Sequence, residues 1–295
     1  MSVNTRDTII VEQATVLSNT VYPAAQYVLR LRAPEIAALA GPGCFVHLRC
    51  SDEMPMRRPM SIMHVDPESG CFDVLFKVVG SGTERLSRSN AGDALSLMGP
   101  IGRCFEAHPE RPKALLIGGG VGIPPMLYLA DSLQKSGRTP ALVLMGSEVP
   151  FPFENVAAKL AVPGVPIGGA RCVPELEALG IRSRLASAAQ ISGCHQGYVT
   201  ELARIWLDSL TNNELEQVAI YACGPNPMLR ASAELAAQYG LPCQVSLEEF
   251  MACAVGGCAG CAVLTHGADG PAMRRVCVDG PVFDGADIDW PALSH

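Results

Sequence analysis

The sequence predicts an α/β plus all-β protein. We expect an antiparallel β-barrel at the N-terminus, a parallel-sheet domain after it, and a short cysteine-rich segment at the end. Short runs with a period of two fill the first third of the chain, and continuously apolar runs follow them. Three cysteines then lie within nine residues of one another. The predicted domains cover residues 1–108, 109–245 and 246–295.

The barrel prediction rests on strand-like runs between residues 8 and about 102. The run "QYVLRLRAP" has two faces, with Tyr27, Leu29 and Leu31 on one and Val28, Arg30 and Arg32 on the other. The runs "CFVHLRC", "RPMSIMHVD", "CFDVLFKVV" and "DALSLMG" follow at spacings typical of a small antiparallel barrel. A polar, proline-bearing stretch from Ala107 to Pro112 is the predicted linker.

The apolar runs "KALLIGG", "TPALVLMGS" and "VAIYACG" predict parallel strands that are buried on both faces. In "NPMLRASAELAAQYG" we predict a helix that ends before Gly240. Four residues share one face of this helix: Met228, Leu235, Ala236 and Tyr239. These features are typical of a dinucleotide-type α/β domain. Residues 150–195 are rich in Pro and Gly, and their elements are not predicted.

The composition excludes several classes of protein. Hydrophobic residues make up 48% and charged residues 17%, which favours a folded core over disorder. The net charge is -7, and Lys and Arg are not clustered, which argues against a nucleic-acid partner. Residues 114–130 are uncharged, but their glycines and Pro124-Pro125 predict a strand, a turn and a helix rather than a membrane span. The start "MSVNTRDTII" lacks the apolar core of a signal peptide, so we expect a soluble, cytoplasmic protein.

Twelve cysteines without a secretion signal favour metal binding or catalysis over a disulfide framework. Eight are scattered, and buried thiols are the ordinary interpretation for most of them: Cys44, Cys50, Cys71, Cys104, Cys172, Cys194, Cys223 and Cys243. The other four have the spacing C-x4-C-x2-C…C, which is typical of plant-type two-iron clusters: Cys253, Cys258, Cys261 and Cys277.

The neighbours of these four cysteines are small. Gly256, Gly257, Ala259 and Gly260 allow backbone N–H groups to approach the sulfurs and offset their negative charge. A structural zinc site and a cluster of core thiols are the alternatives. Zinc sites usually carry a close cysteine pair at each end of a spacer, and one such pair is missing here.

Four further motifs indicate ligand binding, although each is weak alone. In "RRPMSIM", a guanidinium beside a serine suits a phosphate or a polar ring edge, but such an Arg is usually only solvated. Gly82-Thr83 suits a pyrophosphate or an ordinary turn. "LLIGGGVGIPPML" has its glycines between a strand and a helix, as a phosphate loop or a plain turn would. In "YACGPNPML" a strand ends with a cysteine. Its thiol either lies at the sheet edge where ligands bind or is an ordinary buried side chain.

In this order the motifs resemble those of the ferredoxin-reductase-like flavoproteins: Arg-Pro-x-Ser, Gly-Thr, a Gly-rich turn ending in prolines, then Cys-Gly-Pro. With the cysteine segment at the C-terminus, the chain is similar to the electron-transfer subunits of two-subunit, NAD-linked dihydroorotate dehydrogenases. The similarity covers nearly the whole chain, and "SLEEFMAC" also looks like that family.

The resemblance implies FAD on the barrel, NAD as the substrate of the parallel-sheet domain, and a [2Fe-2S] cluster in the C-terminal segment. It assigns flavin and phosphate contacts to Arg58, Pro59, Met60, Ser61, Leu75, Phe76, Lys77, Gly82 and Thr83. It assigns pyridine-nucleotide contacts to Gly118, Gly119, Gly120, Gly122, Gly224 and Pro225, with Cys223 as a catalytic candidate near the nicotinamide. The cluster ligands are Cys253, Cys258, Cys261 and Cys277.

The resemblance also implies a function in pyrimidine biosynthesis. An FMN-containing dihydroorotate dehydrogenase catalytic subunit, joined in a heterotetramer, would oxidise dihydroorotate. Electrons would pass singly through the cluster to FAD, which would reduce NAD by a hydride. No acid–base residue is required for this chemistry, so Cys223 would tune or shield the site.

The residues are also compatible with two other functions. One is an NAD(P)H-dependent reductase that delivers electrons to an oxygenase or ferredoxin, and the other is a cysteine-based zinc module that mediates protein contacts. The segment "ASAAQISGCHQGYVTEL" lies where an acidic, Gly-rich pattern is expected, and only "GYVTEL" matches. The residues do not decide between NAD and NADP, because they identify neither a ribose-binding carboxylate nor an Arg cluster for a 2′-phosphate.

Overall fold

The computed structural model describes residues 8–166, 168–268 and 270–293. The chain divides into two units. The first contains residues up to 105, residues 246–283 and residues from 287 onward, and the second contains 106–245 with 284–286. The cysteine-rich segment is thus grouped with the barrel, and the three-part division with boundaries after 108 and 245 stays a prediction. The interpretation of "MSVNTRDTII" falls largely on residues 1–7, which lie outside the described residues.

The first unit contains the predicted barrel. Its antiparallel strands are β1 (Ile10–Tyr22), β2 (Gln26–Arg32), β3 (Phe45–Leu48), β4 (Arg58–Asp66), β5 (Cys71–Lys77) and β6 (Ala94–Ile101). Two short helices, α1 (Pro34–Leu39) and α2 (Ser81–Leu86), lie between them in the chain. The strands close in the order β1-β2-β5-β4-β3-β6, so the barrel leaves no unpaired edge. The predicted barrel is therefore confirmed.

The interior of the barrel is filled by the apolar face of each strand. Leu29 and Leu31 of β2 are fully buried, whereas Arg32 is exposed, as the period of two predicts. Ile62, Val74 and Leu97 fill the same core from other strands. Burying a side chain of this size contributes about 1.5–3 kcal/mol, so the alternation stabilises the barrel and fixes its register.

The second unit is an α/β domain. Its strands are β7 (Lys113–Gly119), β8 (Leu142–Gly146), β9 (Val156–Ala157), β10 (Arg171–Cys172), β11 (Ser183–Ser187), β12 (His195–Gln196), β13 (Val218–Cys223) and β14 (Cys243–Ser246). Its helices are α3 (Ile123–Lys135), α4 (Pro174–Ala178), α5 (Val199–Asp208), α6 (Asn212–Leu215) and α7 (Asn226–Tyr239). The main sheet contains the order β12-β11-β8-β7-β13-β14, so the strand order reverses between β7 and β13. Such a reversal is where ligands bind in doubly wound sheets.

The buried face of α7 includes Leu235 and Ala236, two of the four residues that share the predicted face. Its buried residues are Leu229, Ser232, Ala233, Leu235 and Ala236. Met228 and Tyr239 lie on the same side but are only half-buried, because they are in the first and last turns of the helix. Gly240 ends the helix in the left-handed region at φ 65°, as predicted.

The segment that the sequence left unplaced contains a fully buried strand. Arg184 in β11 is only 2% exposed. Its guanidinium donates hydrogen bonds to the carbonyl oxygens of Leu160, at 2.6 Å, and Ser183, at 2.7 Å. A buried charge requires such partners, and these contacts tie the preceding loop to the sheet. The strand was missed because "SRLAS" is not an apolar run.

The C-terminal segment contains the hairpin β15 (Ala262–Gly267) and β16 (Gly270–Arg275), and then β17 (Val282–Asp284). It is attached to the end of the barrel strand β6. The Arg103 N–H donates to the Gly280 carbonyl at 2.6 Å, and an added Cβ on Gly102 would lie 2.2 Å from Pro281 Cδ. This close contact positions the cysteine-rich segment on the barrel unit. Among the described residues, no helix has both the length and the apolar character needed to cross a bilayer.

We predict that Gly240→Ala lowers the free energy of unfolding by about 1 kcal/mol, because a Cβ disfavours the left-handed backbone. An added Cβ at Gly240 would contact no atom within 4 Å, so the backbone conformation alone causes the effect. Urea denaturation followed by circular dichroism measures it. The control is Gly80→Ala, where φ is -176° and the space is also open, so stability should not fall. Equal losses in both variants would contradict the explanation.

Candidate functional site

The segment Arg58–Ser61 begins strand β4 on the barrel. The strand turns Met60 inward, where its side chain is 6% exposed and fills the core. Pro59 and Ser61 alternate with it and point outward, and Pro59 is exposed. Of the predicted flavin-contacting residues in this strand, Pro59 and Ser61 therefore have side chains on the outer face of the barrel.

The two arginines of "RRPMSIM" have different roles. The Arg57 guanidinium donates to the Ser96 carbonyl at 2.7 Å, to Ser96 Oγ at 2.8 Å and to the His47 carbonyl at 3.2 Å, so it holds barrel strands together. Arg58 instead lies against Gly82, where an added Cβ would be 3.1 Å from its Nε. The fold thus brings together Arg58 and Gly82, which the sequence motifs placed 24 residues apart.

The turn before α2 is built around Thr83. Its Oγ1 accepts the Val79 N–H at 3.0 Å and the Gly80 N–H at 3.3 Å, and donates to the Gly80 carbonyl at 3.0 Å. The hydroxyl is therefore used within the turn and shapes it. The first N–H groups of a helix have no acceptor within the helix, so the backbone here can meet an anion. With Arg58 beside it, this turn fits the phosphates of a dinucleotide cofactor.

Leu75, Phe76 and Lys77 end strand β5. Leu75 is 3% and Phe76 2% exposed, and the Phe76 ring stacks on Tyr27 with centroids 5.4 Å apart. Lys77 is half-buried. Phe76 thus belongs to the barrel core with Tyr27, whereas Leu75 and Lys77 lie on the outer face of the strand, where a cofactor ring would meet them.

His47 is a polar group in the barrel that the sequence reasoning did not single out. It is 1% exposed, and among the described residues neither ring nitrogen has a hydrogen-bond partner of normal distance and angle. Burial, together with the positive charge of Arg57, lowers the pKa of His47 to about 4. The imidazole is therefore neutral at physiological pH.

The four predicted ligands lie on the loop before β15 and just after β16. Cys261 and Cys277 are buried, with their sulfurs 3.4 Å apart. Cys253 Sγ accepts the Cys258 N–H at 3.4 Å, and the exposed Cys258 Sγ accepts the Gly260 N–H at 3.4 Å. Within the described residues, no group of three or more Cys, His, Asp or Glu side chains is close enough together to hold a metal ion. The loop instead presents two cysteine pairs.

The backbone around these pairs has the conformations that small residues allow. Ala254, Gly256 and Ala259 have positive φ angles of 54°, 77° and 57°. Arg275 of β16 fixes the loop, because its Nη1 donates to the Gly256 carbonyl at 3.2 Å. The turns point N–H groups at sulfur, as the sequence predicts for sulfurs that share negative charge. The donor set therefore fits an iron–sulfur cluster.

The two ends of the cysteine set differ in acidity. Burial acts to raise the pKa of Cys253, but N–H groups of Val255, Cys258 and Gly257 outweigh it and lower the value to about 6. Burial, together with the neighbouring Cys261 thiol, raises the pKa of Cys277 to about 12. Thiolates are the metal-binding form, so metal loading requires Cys277 to release a proton at neutral pH.

In the second unit, the Gly-rich turn after β7 meets the Cys-Gly-Pro turn after β13. These parallel strands pair with Gly118 opposite Cys223. An added Cβ on Gly122 would lie 2.3 Å from the Cys223 carbonyl oxygen and 2.4 Å from the Gly224 nitrogen. Only glycine permits this approach of two backbones. The fold thus brings together the predicted nucleotide-contacting residues at the point where the strand order reverses.

Cys223 itself is 1% exposed at the end of β13. Gly224 follows it with φ 157° and lies against Gly119, whose carbonyl oxygen would be 3.0 Å from an added Cβ. Pro225 begins the turn into α7. The remaining scattered cysteines are buried, apart from the half-buried Cys104, whose sulfur is 3.1 Å from that of Cys44. Their predicted role as buried thiols agrees with this placement.

Comparison with known proteins gives consistent matches. A family model described as the iron-sulfur cluster binding domain of dihydroorotate dehydrogenase B matches residues 248–289. The dihydroorotate dehydrogenase B (NAD(+)) electron transfer subunit of Bacillus caldolyticus is 34% identical over 283 residues, covering 94% of this chain and 98% of the relative. The protein of the same name from Fusobacterium nucleatum is 28% identical over 284 residues, covering 95% and 98%.

Solved structures share the fold. The structure of the NADH-dependent reduced ferredoxin-NADP oxidoreductase matches with a TM-score of 0.73 at 24% identity, covering 95% of this chain and 91% of that chain. The FAD/NAD-binding domain of a nitric oxide dioxygenase from Vibrio cholerae matches with a TM-score of 0.58 at 19% identity, covering 78% and 94%. The barrel, the parallel sheet and these matches define the ferredoxin-reductase-like fold class.

Within that class, the chain belongs to the family of the electron-transfer subunits of dihydroorotate dehydrogenase B. The predicted family, fold class and oxidoreductase class are thereby confirmed. The predicted cofactor set of FAD, a [2Fe-2S] cluster and NAD is confirmed as well. The individual contacts assigned to flavin, nucleotide and iron stay predictions.

We predict that stability falls as the pH is lowered from about 6.5 to about 4, with His47 contributing up to about 1.4 kcal/mol per pH unit. The sign follows because the pKa of His47 is lower in the folded state, so the unfolded chain binds more protons in this range. His47→Phe should flatten this dependence in urea unfolding at pH 5 and pH 7. An unchanged slope in His47→Phe would show that other groups cause it.

Proposed function

We propose that this chain transfers electrons between NAD and a partner that oxidises dihydroorotate. The partner would be an FMN-containing catalytic subunit, and the complex a heterotetramer that serves pyrimidine biosynthesis in the cytoplasm. The observation that carries the proposal is the cysteine loop on the barrel unit, with backbone N–H groups that face sulfur. The name of the relatives, an electron transfer subunit, supports the existence of a catalytic partner.

When bound, FAD can take electrons singly and pass them on as a pair, while the two-iron cluster carries one electron at a time. The residues of this chain supply binding and orientation. Arg58 and the backbone of Gly82 and Thr83 would hold the flavin phosphates, and Pro59 and Ser61 would support the ring on the outer face of β4. Leu75 and Lys77 would line the same site from the outer face of β5, and Phe76 would support it from the core.

Cys253, Cys258, Cys261 and Cys277 would bind the cluster irons. Cys258 is exposed on the loop, so this part of the site faces outward from its unit, where a partner subunit can approach. Gly118, Gly119, Gly120 and Gly122 would accommodate the pyridine nucleotide, together with Gly224 and Pro225. No side chain in these turns needs to transfer a proton, so positioning is their main contribution.

We predict that Cys277→Ser leaves reduction of the flavin by NADH largely intact but abolishes electron exchange with the catalytic subunit. The reason is that Cys277 would hold iron, while the flavin and nucleotide contacts lie elsewhere in the chain. Stopped-flow absorbance measures flavin reduction, and dihydroorotate-dependent reduction of NAD by the reconstituted complex measures exchange.

Cys71→Ser is the matched control, because Cys71 is a buried thiol of strand β5 outside the cysteine loop. It should keep both the iron content and the exchange. Unimpaired exchange in Cys277→Ser would refute the ligand assignment. Copurification of the chain with a flavoprotein that does not oxidise dihydroorotate would refute the proposed partner.

We also predict that Cys223→Ala lowers the rate of hydride transfer modestly while FAD stays bound. Cys223 would lie near the nicotinamide, where a small buried side chain tunes the site without transferring a proton. Pre-steady-state reduction by NADH gives the rate, and the flavin absorbance of the purified variant gives the occupancy. Complete loss of FAD from this variant would contradict the assigned position.

A further inference from the structure

The carboxyl end of strand β8 lies directly beside the Gly-rich turn. Strands β7 and β8 are parallel neighbours, with Gly119 opposite Gly146. The residues that follow Gly146 are therefore at the same edge of the sheet as the turn that would accommodate the nucleotide. The strand order β11-β8-β7-β13 makes β8 the second strand of the first half of a doubly wound sheet.

The chain leaves β8 through a fixed turn. Ser147 is 9% exposed, its N–H donates to the Ala186 carbonyl at 3.1 Å, and its Oγ accepts the Val149 N–H at 3.3 Å. Glu148 lies between these anchored residues and is exposed. In the part of the chain that the structure describes, its carboxylate makes no hydrogen bond or ion pair. The turn thus holds an unpaired carboxylate at the ligand-binding edge.

The other segments at this edge carry no basic residue. The stretches after the four central strands are "GVGIPP", "SEVPFPFEN", "AAQISGC" and "GPNPML", and none contains Lys or Arg. The next basic residue after the last of them, Arg230, is paired with Glu234 at 2.8 Å. Arg171 of β10 lies against Gly193 in the stretch after β11, not in the turn after β8. A phosphate group at the end of β8 would therefore meet a negative charge without a cation from these four segments, which is costly.

From this arrangement we propose that Glu148 accepts hydrogen bonds from the 2′- and 3′-hydroxyls of the adenosine ribose and so selects NAD over NADP. The inference rests on the proposed function, in which the second unit binds a pyridine nucleotide. A carboxylate at the end of the second strand has this role in dinucleotide-binding sheets, because its two oxygens can accept from both hydroxyls. The 2′-phosphate of NADP would remove one of these donors and add repulsion.

The test compares NADH and NADPH as electron donors to the full-length, FAD-loaded protein, with ferricyanide as the electron acceptor. The measured quantity is the ratio of kcat/KM for NADH to kcat/KM for NADPH. We expect the wild-type ratio to exceed about 100, and Glu148→Gln to lower it about tenfold or more, mainly by lowering the KM for NADPH. Glu148→Arg should lower it further, because a guanidinium binds a phosphate.

Glu154→Gln is the matched control, since Glu154 is an exposed carboxylate in the same segment after β8. It should leave the ratio within about twofold of wild type, which separates a local contact from a general change in charge. Ratios for Glu148→Gln and Glu148→Arg within twofold of wild type would overturn the inference and leave the proposed function intact. A wild type that oxidises neither nucleotide would overturn both.

Discussion

Close approach of one stretch of backbone to another is the constraint on which the rest of the structure depends. At Gly122 and Cys223 two main chains meet with no room for a side chain between them. At Gly102 and Pro281 the end of the barrel meets the cysteine-rich segment in the same way. At Gly82 the missing side chain leaves room for Arg58. A Cβ at Gly122 or Gly102 would collide with the facing chain, and a Cβ at Gly82 would require the Arg58 side chain to shift.

This construction suits a protein that moves electrons. Electron and hydride transfer demand that cofactors be held at fixed separations, and they need few proton-transferring side chains. The cysteine loop follows the same logic, because backbone N–H groups rather than lysines or arginines face Cys253 and Cys258. Neutral donors of this kind offset the charge of a cluster without placing ions on a surface that a partner must approach.

Much of this could be predicted from the sequence, because period-two and apolar runs fix strands directly. Strand β4 has the same bounds as the predicted run "RPMSIMHVD", and strand β7 has the same bounds as "KALLIGG". The prediction failed where burial is stabilised by specific polar contacts: Arg184 in β11 has no apolar pattern to reveal it. Glu148 was missed because it lies further from the Gly-rich turn than the roughly 20 residues usual for such a carboxylate. Its meaning depends on strand order, which a sequence pattern does not give.

The two ends of the stretch 247–281, which carries all four cysteines of the set, meet each other, because the Leu247 N–H donates to the Pro281 carbonyl at 2.9 Å. The residues between them therefore form a loop that is closed at its base. Lengthening such a closed loop costs little entropy, since the cost grows only with the logarithm of loop length. The length of this loop can therefore change at a small entropic cost, while the closed order of the barrel strands stays the same.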